Sequence, residues 1–184
     1  MSDRSQDEAT QQAPVDGEPA PTVDAYSEEE LGQLSRALGQ VVLGAGMSEK
    51  SGAFGLMREI MAAMSASAVF VGESSSPLLK QIVTDAGKAD TDDAEQEAVA
   101  TPESAEQAVE NGIAAAKISH ELLLAKGKNE DADAWAQLLL TAADAAVQAT
   151  KTGGFLGFGG EKVTASEQAY MRRLADTLGY QKES

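Results

Sequence analysis

Apolar residues return at the i, i+3, i+4, i+7 spacing of a single helix face along most of this chain, which predicts an all-α fold, a helical bundle. The clearest stretch is Trp135, Leu138, Leu139, Ala142, Ala145, Ala146 and Ala149, where Ala, the strongest helix former, reinforces the pattern. A Gly-Phe loop follows at 153–160. Thr164 and Glu167 then stand at capping-box spacing, each side chain reaching the other's backbone N–H. Tyr170, Met171, Leu174 and Leu178 continue as an apolar stripe, and Gly179 stands where a helix stop is expected. The pattern predicts a helix–loop–helix hairpin.

A blurred version of the same pattern lies near the start. Ser27 and Glu30 repeat the capping-box spacing, and Leu31, Leu34, Leu38, Val41 and Ala45 step along one face. Gly44, Gly46 and Gly52 predict a loosening before a second helix with Phe54, Met57, Ile60, Met61 and Met64, prolonged by the small apolar run at 65–71. That methionine stripe is expected first as core, with an adaptable binding groove as the alternative. Glu59 here would match Glu167 in the later hairpin; duplication and convergence on a common hairpin both account for the likeness.

Between the hairpins, Ser74-Ser75-Ser76-Pro77 leads into a short helix buried through Leu78, Leu79, Ile82 and Val83. The acids from Asp85 onward predict a linker over 85–100. Thr101-Pro102-Glu103 reads as the next helix start, with an apolar face of Ala105, Val109, Ile113, Ala116, His120 and Leu123. The expected organisation is a disordered acidic tail over 1–25, a hairpin plus short helix over 26–84, the linker over 85–100 and the C-terminal helices over 101–184.

Composition sharpens this picture. With 184 residues, 42% hydrophobic but only 4% aromatic, the chain can bury one core of closely packed helices. A formal charge of −16 repels nucleic acid and anionic lipid headgroups and favours cations and basic partners. The absence of cysteine excludes disulfides, thiolate metal sites and Cys nucleophiles. No apolar run is expected to reach the roughly 18–20 residues that span a bilayer, so no transmembrane segment is expected. The polar start does not read as a secretory signal, which leaves the cytoplasm as the expected location.

Candidate chemistry is sparse, and catalytic, cofactor and metal sites are all expected to be none. His120 is the sole histidine, too few for a zinc set, and no nucleophile-elbow sequence occurs. Asn129-Glu130-Asp131-Ala132-Asp133 opens like a calcium loop, but Ala134 and Leu140 stand where Gly and Glu are required. The Gly-Phe loop lacks the Lys-Ser/Thr of a phosphate loop. Phe155, Leu156 and Phe158 either plug the bundle or stand out as an apolar knob for a partner protein or a neutral membrane.

Val147, Ala149, Gly153, Val163, Thr164 and Glu167 form a unit of small-residue helix, glycine turn, hydrophobic residue and Thr-x-x-Glu. This unit resembles the repeat of the tellurite-resistance TerB-like family. The resemblance, confined to the C-terminal hairpin with a fainter echo before Glu59, implies an all-helical fold, a stress-response role and metal binding by acids near the turn. Here Thr150-Lys151-Thr152-Gly153 holds no acid, so no metal ligand carries over. The leading expectation is a non-enzymatic acidic protein acting through protein–protein interaction, by Phe155, Leu156 and Phe158 or by Met57 and Met61. The alternative is a stress-associated module binding divalent cations through carboxylates, with an enzyme ranked last.

Overall fold

A computed structural model describes residues 23–48, 53–88, 102–151 and 163–180. Among these residues six α-helices make an all-α bundle: α1 (Glu28–Met47), α2 (Ala53–Glu73), α3 (Pro77–Lys88), α4 (Ala105–Ala125), α5 (Asn129–Lys151) and α6 (Ala165–Thr177), with a 3-10 turn at Val23–Ala25. Residues 1–22 of the expected tail, the greater part of the linker and the Gly-Phe loop lie outside the described residues, while the last three tail residues form the turn Val23–Ala25 and α3 runs on to Lys88, into the stretch expected as linker.

The local signals for helix ends hold. Ser27 with Glu30 and Thr164 with Glu167 both form complete capping boxes. Gly127 and Gly179 take positive φ, 69° and 80°, and each closes a helix by the double bond of a Schellman turn: Lys128 N–H to Leu123 O with Gly127 N–H to Leu124 O, and Tyr180 N–H to Ala175 O with Gly179 N–H to Asp176 O. One start moves. The N-cap of α4 is Ser104, whose Oγ accepts from Gln107 N–H at 3.1 Å, so Pro102 and Glu103 of the expected start precede the helix, and Thr101 lies outside the described residues.

Packing follows small residues. Gly44 and Gly46 do not loosen the chain; both are buried inside α1. A Cβ on Gly44 would stand 2.8 Å from Tyr170 Oη and 2.9 Å from Ala108 O. One on Gly112 would stand 2.7 Å from the same hydroxyl and 2.9 Å from Gln40 O. The two glycines let α1 and α4 touch backbone to backbone, and Tyr170 of α6 closes the gap by donating from Oη to Val41 O at 2.8 Å. The buried stripe of α4 is accordingly Ala108, Gly112, Ala116, Ser119 and Leu123. The expected stripe is rotated from this: Val109 and Ile113 flank the contact and His120 is half-buried, because only small residues fit so close an approach.

The helices pack across the two hairpins more than within them. The principal partner of α1 is α4, that of α2 is α5, and α1 meets α5 at the centre. Glu30 at the start of α1 pairs with Lys126 after α4, and Gly44 lies against Ala108, so these helices are antiparallel. Helix α5 turns back at Gly127, buries Trp135, Leu138, Leu139, Ala142 and Ala146 completely, and is the hub of the core. Trp135 Nε1–H donates to Ser119 Oγ at 2.9 Å, and Ser119 Oγ–H donates to Ala116 O at 3.1 Å, which satisfies the one polar atom of the largest core residue.

Candidate functional site

Helix α2 is the element whose sequence does not decide its own orientation. It is apolar nearly all round, so burying any face would remove hydrocarbon from water. The face turned inward is Glu59, Ala63, Ser67 and Val71, with Ile60 and Phe70 packed partly against the core. Its small Ala63 and Ser67 allow a close approach that a methionine row would prevent. The methionines expected as core are therefore exposed: Met57 by 63%, Met61 by 57% and Met64 by 39%, with Val69 at 65%.

Beside this ridge, between α2 and α5, runs a shallow open groove lined by Ser65, Ala66, Val69, Phe70, Glu73 and Thr141. Gln137, Asp144 and Gln148 share the Thr141 side of α5, which borders the groove with polar and acidic groups. Opposite charges bracket the exposed face, with Arg58 at the start of α2 and Glu73 at its end. The expectation of no apolar run long enough for a bilayer needs correction: Gly55–Glu73 has a mean hydropathy of 1.2 and reaches that length and composition, with 22% of the window buried. Comparison with family models, with curated proteins and with solved structures finds no match.

Other candidates resolve into scaffolding. Asp131, which opens like a calcium-loop acid, accepts from Tyr26 Oη at 2.8 Å and from Ser76 Oγ at 3.2 Å, tying the N-terminal turn and the start of α3 to the first turn of α5. Lys126 lies 5.4 Å over the Tyr26 ring and donates to Ala25 O at 3.0 Å. Burial, then the Asp131 hydrogen bond, hold the Tyr26 phenol well above its usual range, so it stays a donor. Among the described residues no group of three or more His, Asp and Glu side chains is placed to hold a metal ion.

Of the residues singled out from the sequence, Met57 and Met61 fall together on the outer face of α2, whereas Phe155, Leu156 and Phe158 lie outside the described residues. Sequence reasoning missed Val69 and the groove, which need α2 and α5 side by side. The matched pair Glu59 and Glu167 are both buried, at 1% and 2% exposure. Glu59 sits against Gly46, and Glu167 caps its own helix by accepting from Thr164 N–H at 2.7 Å.

Proposed function

We propose that this protein acts by binding another protein through the outer face of α2, without catalysing a reaction. One observation carries this reading: a ridge of Met57, Met61 and Met64 with Val69 stands exposed on a chain of net charge −16. Exposed hydrocarbon grouped in this way on an otherwise acidic surface marks an interaction site. Methionine suits the task, because its unbranched thioether adapts to the shape it meets. The charge keeps the free protein soluble despite the ridge.

The test is a photo-crosslinking amino acid at position 64 in cells that make the protein. The expected adduct contains a protein identifiable by mass spectrometry, and Met57→Glu with Met61→Glu abolishes its binding while the helical circular dichroism persists. An absence of adducts from α2, with adducts formed from probes on other surfaces, would overturn the proposal.

A further inference from the structure

The groove beside α2 is apolar along its floor and acidic towards both ends. At about 100° per residue, Met57, Met61, Met64 and Ala68 share one sector of α2, and Ser65, Val69 and Glu73 share the next, about 110° round. The second sector faces the groove, where Ala66, Val69 and Phe70 supply the hydrocarbon. Ser76 Oγ donates to Asp131 Oδ1 at 3.2 Å, which brings the end of α2 to the start of α5, so the two helices run antiparallel. Glu73 therefore lies at one end of the groove, and Asp144, one turn beyond Thr141, lies towards the other. Among the described residues neither carboxylate forms an ion pair; Asp144 accepts from the neutral Gln148 amide at 3.4 Å. Arg58, the one basic residue of α2, stands two turns before Ser65 and is engaged in an interaction of its own.

We infer that the partner presents an amphipathic helix, its apolar edge in the groove between α2 and α5 and its lysines or arginines over Glu73 and Asp144; this rests on the docking role proposed for α2. The open furrow between two packed helices seats a third helix along its length. From Ser65 to Glu73 the floor is about 12 Å long at 1.5 Å per residue, room for about two turns of the occupant. Met61, one turn before Ser65, stands at the shoulder of this seat, where its adaptable thioether covers the near side of the occupant. Charge selects what binds. A chain of net charge −16 draws cationic segments towards it, and acids bordering hydrocarbon hold them in register. A second copy brings the same −16 to the contact, so like charge opposes it. A neutral lipid surface would cover the apolar floor but leave Glu73 and Asp144 at its edge with no counter-charge. The contact falls at the low end of specific interface sizes, below about 1,200 Å², so the complex is micromolar and weakens as salt screens its charges.

The probe is a synthetic helix of about 14 residues, leucine and lysine only, with its leucines at the i, i+3, i+4, i+7 spacing. Fluorescence anisotropy follows its binding to the full chain, beside a peptide of the same composition whose leucines share no face. The expected result is micromolar binding of the first, about tenfold tighter than of the second and several-fold weaker at physiological than at low salt. Glu73→Lys with Asp144→Lys should weaken it about tenfold, as should Val69→Glu. Glu106→Lys with Glu121→Lys makes the same change of net charge on the exposed side of α4 and should weaken it far less. A photo-crosslinking amino acid at position 69 should capture the peptide, and one at position 118, where the native Ile118 is likewise exposed, should not. That outcome is readable even if a charge variant folds poorly. Equal binding of the two peptides, equal loss from the two charge pairs, or capture from position 118 alone would each overturn the inference. So would flotation of the chain with neutral phosphatidylcholine vesicles that Val69→Glu abolishes. If the peptide fails in this way while position 64 still captures a protein in cells, the docking role of α2 stands and the basic amphipathic helix as its occupant falls.

Discussion

At the scale of single residues, glycine inside these helices marks contact in one place and nothing in another. Gly112 is buried where α1, α4 and α6 converge, and a Cβ there would meet a hydroxyl and a backbone carbonyl that is fixed in its own helix. Gly72 is exposed near the end of α2, and a Cβ there would meet nothing within 4 Å. Gly112→Ala is therefore expected to destabilise by about 1–3 kcal/mol despite the better helix propensity of Ala. Gly72→Ala is expected to stabilise by about 0.5–1 kcal/mol. Thermal unfolding checks both, with opposite signs required.

At the scale of elements, the capped starts of α1 and α6 and the glycine stop of α6 were legible because each signal and its response lie within a few residues. The burial of Trp135, Leu138 and Leu139 was legible for the same reason: the contrast between apolar and polar sides of α5 is strong. Helix α2 offered no such contrast, so its methionines read as core when they are surface. The start of α4 at Ser104 instead of the expected Thr101 shows a further limit, since Ser and Thr are both competent caps and the sequence offers the two only three residues apart. The orientation of α2 yields a direct test in denaturant titration of the monomer. Met61→Gln should change stability by less than about 0.5 kcal/mol, as at any exposed site. Ala63→Leu, at a fully buried position two residues away, should cost about 1–3 kcal/mol through overpacking.

At the scale of the whole molecule, two tyrosines bind the first half of the chain to the second. Tyr26 bonds Asp131, and Tyr170 bonds Val41 O. Both phenols are held above the normal value of 10.0, by burial foremost in each case. Below pH 10 both are protonated whether the chain is folded or not, and their contribution is constant. Above it the unfolded chain loses protons that the folded chain keeps, so the unfolded state binds fewer and stability falls as pH rises. Denaturant midpoints should hold steady up to about pH 10, near the unfolded phenol's own pKa, and decline beyond it. Tyr170→Phe should make that decline shallower while costing about 1 kcal/mol at neutral pH for the lost hydrogen bond.

What the sequence alone determined is the helical character of the chain, where several helices begin and stop, and the central burial of α5. These depend on short-range hydrogen bonding and on a one-sided apolar pattern. Which helices pair, and which face of α2 is left outside, were decided only in three dimensions. Where a helix is apolar on every side, hydrophobicity has no preferred direction, and the fit of Ala63 and Ser67 into the bundle decides which side chains meet water.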